Sequence, residues 1–344
     1  MASDGYRVGV LGATGLVGTT IRELLAARDF PVAELVPLAS ERSVGKELAW
    51  NGGSVSCRAL DEDSIQGLDI VLSSAGGKIS AEWTPRLVEA GAVVVDNTSY
   101  WRMDDEVPLV VAEVNPEALA DHRGIVANPN CSTMQMVVAL KPLFDAAGIE
   151  RLVISTYQAV SGTGKAAIDE LREQARAVLD GEPAEAHIYP HQIAFNALAQ
   201  AGSFAAGDDH TDEERKLINE TRKILGDESI RVSATCIRVP VVTGHSEAVN
   251  VETREPLSPE QARELLAVAP GVTVVDDPAA GRYPMATEAA GQDDVFVGRI
   301  RRDPGNERAL DLWVVADNLR KGAATNAVQV AELLVERGLV GVPA

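Results

Sequence analysis

No stretch narrows the possible folds of this chain as sharply as Gly12-Ala13-Thr14-Gly15-Leu16-Val17-Gly18, which follows the short apolar run Arg7 to Leu11 and precedes a helical stretch ending near Ala27. A strand, a glycine turn and a helix in that order open a parallel α/β sheet. Three glycines at this spacing let the backbone turn tightly, bring its N–H groups to a pyrophosphate and seat the helix close to the sheet. The spacing is GxxGxxG and not the strict GxGxxG, so a purely structural turn is the competing reading.

The pattern continues with apolar runs at Ala33 to Ala39, Asp69 to Ser73 and Val93 to Asp96, the last preceded by a helical segment from Ala81 to Ala90. Alternating strands and helices predict right-handed parallel crossovers. Near residue 130 the rhythm changes. A helix over Thr133 to Ala147, a strand over Arg151 to Gln158, a charged helix over Lys165 to Leu179 and a long irregular stretch are followed by strands at Val232 to Val242, Asp294 to Ile300 and Ala309 to Ala316. The two-residue alternation of those strands predicts a second, α+β domain whose mixed or antiparallel sheet buries one face. A final helix, Ala323 to Arg337, carries enough apolar residues to pack back onto the first domain.

Composition excludes several classes of function. With 31 basic and 51 acidic residues the formal charge is −20, which repels phosphate backbones and anionic lipid. No apolar run reaches the ~20 residues of a membrane span and no secretory signal follows Met1, so a cytosolic protein is expected. The three cysteines, Cys57, Cys131 and Cys236, form no close pair and suggest neither a zinc knuckle nor a disulfide framework.

Two local clusters carry chemistry. Where a parallel NAD site places an acid after the second strand, this chain has Ser40, Glu41, Arg42 and Ser43, a hydroxyl and guanidinium group suited to the 2′-phosphate of NADP. The bland alternative for Arg42 is a solvated surface charge, and Glu41 opposes the phosphate unless it points away. Asn128-Pro129-Asn130-Cys131-Ser132-Thr133 lies between the extended run Gly124 to Ala127 and the helix near Thr133. A thiol at a helix N-terminus is favoured as thiolate, so Cys131 is placed to attack a carbonyl, whereas Cys57 and Cys236 read as core residues.

Of the five histidines, His187 and His191 are separated by a helix-breaking Pro190 and give no metal pattern. His245 is expected in a loop just after the strand that ends at Val242. Arg238, in the middle of that strand, demands an anionic partner, either a protein or a substrate carboxylate. Arg102 and Lys216, taken alone, are ordinary surface cations.

Taken together, the motifs VGVLGATGLVG (8–18), SERSVGK (40–46), DNTSYWRM (96–103), NPNCST (128–133), YQAVSGTGK (157–165), EERK (213–216), RVPVVTGHSE (238–247), FVGRIR (296–301) and DNLRKGAATNAVQ (317–329) closely resemble the bacterial dimeric aspartate-semialdehyde dehydrogenases, from about Arg7 to Leu334. The resemblance implies an NADP-binding Rossmann domain (1–129 with the C-terminal helix, about 317–344) and a catalytic and dimerisation domain (130–316). It implies NADPH-dependent reduction of 4-phospho-L-aspartate to L-aspartate 4-semialdehyde and phosphate, a step toward lysine through diaminopimelate and toward threonine, methionine and isoleucine.

By the same resemblance Cys131 forms a thioester, His245 is the general acid/base and Gln158 orients the reacting centre. Arg102 and Lys216 bind phosphate, Asn130 holds phosphate or substrate beside the thiol, Arg238 clamps the α-carboxylate, and Glu213, or its neighbour Glu214, faces the substrate amine. Gly12, Thr14, Gly15, Leu16, Val17, Ser40, Arg42, Ser43, Ser73, Ser161, Gly162 and Asn318 contact NADP. A homodimer without nucleic-acid, membrane or metal partners is expected. The competing functions are an N-acetyl-glutamyl-phosphate reductase-like enzyme, which has no free substrate amine, and a non-catalytic NADP-binding sensor.

Overall fold

The computed structural model describes residues 5–341. The chain divides into two compact units, residues up to Asn130 together with those from Ala323 onward, and Cys131–Gly322. Among the described residues no helix is long and apolar enough to cross a membrane.

In the first unit, β1 (Tyr6–Leu11) leads through the glycine turn into α1 (Leu16–Ala27) and β2 (Val32–Ala39). A small ribbon of β3 (Glu47–Trp50) and β4 (Gly53–Ser56) is followed by β5 (Arg58–Ala59), β6 (Ile70–Ser73), α2 (Gly77–Glu89), β7 (Val93–Asp96) and β8 (Ile125–Ala127). The six-stranded sheet runs β5-β2-β1-β6-β7-β8 with every pairing parallel. Its central strands are buried on both faces, which is why they read as continuous apolar runs with no alternation. One face packs a core that includes Val10, Ile21, Leu25 and Val328, and the other packs Leu38, Val71 and Leu87.

Chain order reverses at β1, whose neighbours are β2 on one side and β6 on the other, so the glycine turn at its carboxyl end stands at the topological switch point. Gly12 has φ +81°, a left-handed conformation that disfavours side chains, and a Cβ on Gly18 would overlap the Gly12 carbonyl oxygen.

The second unit opens with α3 (Cys131–Ala147), then β9 (Ile149–Gln158), α4 (Lys165–Leu179), α5 (Asp212–Leu225), β10 (Arg231–Arg238), β11 (His245–Thr253), α6 (Pro259–Ala267), β12 (Val272–Val274), a short α7 (Ala286–Ala289), β13 (Val295–Asp303) and β14 (Asn306–Ala316). Its sheet runs β10-β9-β11-β14-β13-β12. The β9–β10 and β12–β13 pairs are parallel and the others antiparallel. Helix α3, buried along most of its length, packs against this sheet with α5 and α6 beside it. A π-helical turn over Arg320–Thr325 precedes α8 (Asn326–Glu336), whose Val328 and Leu334 enter the core of the first unit.

Three sequence-based placements need correction. The strand expected to reach Val242 stops at Arg238, because Pro240 lacks a ladder donor and Gly244 takes φ +98°. Arg238 is therefore the last residue of β10 and not its middle. His245 does not stand in a loop but opens β11, a strand the sequence reading passed over. Finally, α3 begins at Cys131, two residues earlier than expected, which puts the thiol itself in the first turn.

Candidate active site

The register of the second sheet gathers the predicted side chains at one end. Arg238 of β10 pairs with Gln158 of β9, both at strand ends, and antiparallel β11 begins beside them, with Ser246 opposite Tyr157. His245 is opposite Ala316, the end of β14. From there Gly322 donates back to the Asp317 carbonyl (3.0 Å), and a Cβ on Gly322 would come within 2.9 Å of the Cys131 Cβ. Cys131 thus reaches the sheet end that carries Gln158, Arg238 and His245.

The imidazole of His245 is fully buried. The Ala159 backbone N–H donates to its Nδ1 (2.9 Å), which makes Nδ1 the acceptor and puts the ring proton on Nε2. Nε2 has no hydrogen-bond partner among the described residues. Burial first, and then the Arg238 charge, pull the His245 pKa down to about 3 against the opposing pull of Glu213, so the ring is neutral at working pH. A Cβ at Gly162 would approach His245 Nε2 at 3.3 Å and Arg238 Nη1 at 3.4 Å, so the glycine leaves room for a ligand beside both groups.

Arg238 is 7% exposed, donates from Nη1 to the Ala159 carbonyl (2.7 Å) and lies over the Tyr189 ring at 5.9 Å. Its Nε has no hydrogen-bond partner, and no carboxylate pairs with it among the described residues. Of the two partners left open by the sequence, a carboxylate of the protein is absent there among the described residues, which leaves room for one from a ligand.

Helix α5 starts with a capping box. Thr211 accepts from the Glu214 N–H, and Glu214 accepts from the Thr211 N–H (2.9 Å) and from the Cys236 N–H (3.0 Å). Both Glu214 oxygens are thereby engaged with backbone. Glu213 instead accepts from Gln158 Nε2 (2.9 Å) and Lys216 Nζ (3.1 Å), so of the two acids it is the one joined to the predicted site residues. Lys216 also donates to Asp212 (2.6 Å). Burial lowers its pKa, but Glu213 and Asp212 outweigh that and keep the ammonium charged.

In the first unit, Arg102 is buried and donates to the carbonyls of Asn128 (3.0 Å) and Asn97 (2.8 Å), while Asn128 also bonds the Asn97 side chain. Asn326 fixes the same loop by donating to Asn128 Oδ1 (2.6 Å), and Asn130 at the loop's end is buried. This loop holds the residues just ahead of the thiol.

The glycine turn fits a dinucleotide. Gly12 and Ala13 donate to the Leu38 carbonyl and Gly15 to the Gly12 carbonyl, while the α1 N-cap, Gly15, has no side chain to satisfy the first-turn N–H groups of Leu16 and Val17. Thr14 is half-buried beside them, and the buried Ser73 Oγ at the end of β6 has no hydrogen-bond partner among the described residues. Ser40, Glu41 and Arg42 are exposed and Ser43 half-buried on one 3₁₀ turn after β2, and Arg42 has no ion-pair partner among the described residues. In the second unit Ser161 and Asn318 bond each other (2.9 Å), and Asn318 Oδ1 accepts from the Gly244 N–H (2.9 Å), anchoring the loop that presents Gly162.

Cys57 and Cys236 are buried, and burial raises both thiols. They lack the helix-end placement of half-buried Cys131. Sequence reasoning missed two buried polar side chains, Gln135 of α3 and Glu247 of β11, although the alternation of HSEAVNVE pointed Glu247 to the same face as His245.

Comparison with known proteins gives a consistent picture. Residues 7–122 match the semialdehyde dehydrogenase NAD binding domain, and residues 140–321 the semialdehyde dehydrogenase dimerisation domain. The chain is 57% identical over 340 residues to an aspartate-semialdehyde dehydrogenase of Aquifex aeolicus, covering 98% of this chain and all of the relative. It is 51% identical to that of Synechocystis, covering 96% and 98%. Among solved structures, aspartate semialdehyde dehydrogenase II of Vibrio cholerae complexed with ASA superposes with a TM-score of 0.94 at 51% identity, covering 97% and 99%. The Candida albicans enzyme with NADP does so at 0.75 and 26%, covering 98% and all of that chain.

Proposed function

We propose the following course of reaction for this chain, which belongs to the aspartate-semialdehyde dehydrogenase family: reductive dephosphorylation of 4-phospho-L-aspartate to L-aspartate 4-semialdehyde through a thioester on Cys131. The observation that carries it is the convergence of a helix-end thiol, a neutral imidazole and a buried guanidinium, the Nε2–H of the imidazole being without a hydrogen-bond partner and the guanidinium without a carboxylate among the described residues.

Arg238 receives the substrate α-carboxylate in a forked contact, and Glu213 faces the substrate amine. The charge of Lys216 and that of Arg102 suit the phosphoryl dianion. Cys131 Sγ, favoured as thiolate at the α3 N-terminus, attacks the acyl carbon, and the bond to phosphate oxygen breaks to leave a thioester and inorganic phosphate. His245 donates from Nε2 to the carbonyl oxygen as negative charge builds on it, and takes no proton from the thiol, because its remaining ring nitrogen is held by Ala159. The reduced nicotinamide of NADPH, when bound, supplies a hydride to the thioester carbon. Collapse of the resulting oxyanion releases the aldehyde and returns the thiolate. Gln158, fixed by Glu213, orients the reacting carbon.

NADP is held by the first-turn N–H groups of α1, with Arg42 on its 2′-phosphate. Replacing Arg42 with alanine is expected to raise the KM for NADPH by about 10–100-fold, as removal of a charge-assisted hydrogen bond worth about 1.5–3 kcal/mol requires, and to leave the KM for NADH nearly unchanged. Equal effects on both cofactors, measured in parallel initial-rate titrations, would show that Arg42 is a surface charge only. A homodimer built on the second unit accords with the dimerisation-domain match, and cysteines that form no disulfide among the described residues suit a reducing cytoplasm.

The assignment is tested by phosphate-dependent NADP reduction with L-aspartate 4-semialdehyde and, in parallel, with N-acetyl-glutamate semialdehyde. Turnover with the first and little with the second is expected, since the acetylated compound offers Glu213 no ammonium. The reverse preference, or none, would overturn it.

A further inference from the structure

The inward face of β11 continues past His245 to Glu247, which is fully buried. It is opposite Thr156 of β9 and Val314 of β14 in the ladder. Neither carboxyl oxygen of Glu247 has a hydrogen-bond partner with the acid taken as a carboxylate, and no ion pair reaches it among the described residues. The side chain facing it from α3 is Gln135, itself fully buried. Gln135 Nε2 donates to the main-chain carbonyl of His245 (3.3 Å), yet its Oε1 is also buried without a partner. Each of these three buried oxygens, two of Glu247 and one of Gln135, is thus without a hydrogen-bond donor within bonding distance, although the Gln135 amide lies close enough to the carboxyl to act on it.

One added proton resolves that arrangement. Gln135 Nε2 is engaged on the His245 carbonyl, and turning the amide over would set its oxygen against that carbonyl, acceptor against acceptor. A neutral carboxylic acid leaves the amide as it stands. Its O–H donates to Gln135 Oε1, Nε2 continues to hold the His245 carbonyl, and no buried charge is left unpaired. Beside this pocket Cys236 of β10 and Thr156 of β9 bond each other, and the other acids that act on Cys236 are Glu213 and Glu214, so no cation is among these groups to hold Glu247 as a carboxylate. Burial pushes the Glu247 carboxyl well above the ordinary range, with only the Gln135 contact opposing it.

We infer that Glu247 is a positioning residue that works as a neutral acid: its O–H donates to Gln135, and Gln135 in turn fixes the main chain of His245 and so the placement of the imidazole. The Ala159 N–H on Nδ1 sets the ring's tautomer, and the Glu247–Gln135 relay sets where the ring stands. The kinetic consequence rests on the reaction proposed above, whereas the protonation state does not.

The test has two arms. Infrared difference spectra of the full-length protein, Glu247→Gln against wild type at pH 8, are expected to show loss of one protonated-carboxyl C=O stretch from the wild type. In the kinetic arm, Glu247→Gln, which keeps an N–H donor for Gln135, recovers most of the wild-type kcat. Glu247→Met, similar in size but without a donor, loses about 10–100-fold in kcat with KM nearly unchanged, the size of effect that a small misplacement of a reacting group produces. Absence of the infrared band overturns the neutral acid whatever the protein catalyses. If the band is present, a Met variant as active as wild type, or a Gln variant as impaired as Met, overturns the positioning role.

Discussion

Cys131→Ala is expected to lose at least about 10⁴-fold in kcat, because removing a covalent nucleophile leaves only the residual effect of binding and polar stabilisation. NADP affinity should stay within about twofold of wild type, since the substitution leaves unchanged the backbone N–H groups of Gly12 to Gly18 proposed to hold the dinucleotide. Stopped-flow absorbance of NADPH with acyl phosphate measures the first quantity and fluorescence titration the second. A variant that still turns over would remove the thioester from the mechanism. One that has also lost NADP would point to disruption of the structure, which loss of Sγ alone does not require, because alanine keeps the Cβ that lies beside Gly322. Cys131→Ser preserves that packing and is expected to be almost as inactive, because a hydroxyl at its ordinary pKa is a far weaker nucleophile than a thiolate.

Arg238→Leu should lower kcat/KM by about 10³-fold or more, and Arg238→Lys by about 10²-fold. Truncating one member of a desolvated charge pair costs about 2–5 kcal/mol, and a lysine keeps the charge without the fork. The guanidinium also donates to the Ala159 carbonyl, so part of any loss arises from that loop. A substrate lacking the α-carboxylate, 3-aminopropanal, separates the two effects. Wild type and Arg238→Leu are expected to handle it within about tenfold of one another, whereas the full substrate keeps the large gap. The same loss on both substrates would mean that Arg238 supports the fold and does not clamp the carboxylate. By linkage, the depressed His245 pKa has a consequence for stability: between about 3 and about 6.5 the unfolded chain binds the proton that the folded chain refuses, so this contribution is present above about 6.5 and is lost as pH falls toward 3.

The features legible in the sequence were those written in contiguous residues. The glycine turn announces itself because three backbone positions need to lack a Cβ, and the structure shows the overlap that a side chain at Gly18 would produce. Cys131 was legible because Asn128-Pro129-Asn130 ends an extended run just before a helix, although the helix starts two residues sooner than periodicity suggested. His245 and Arg238 stand out in the sequence as residue types, but their places at the start of β11 and the end of β10 do not follow from it. Their positions depend on how Pro240 and Gly244 interrupt one strand and start another, which is a property of the ladder and not of apolar content. What sets Glu213 apart from Glu214 is a capping box that engages Glu214 with backbone, a local signal already present in Thr211-x-x-Glu214. Gln135 and Glu247 escaped because a buried polar side chain gains meaning only from the partner that register brings opposite it.

The most direct test is intact-protein mass spectrometry after mixing the enzyme with 4-phospho-L-aspartate in the absence of NADPH, so that no hydride can discharge the acyl group. A mass increase of one aspartyl group, mapped by peptide digestion to Cys131 and missing from Cys131→Ala, is predicted. An unmodified Cys131, or an acyl group carried on another side chain, would contradict the mechanism.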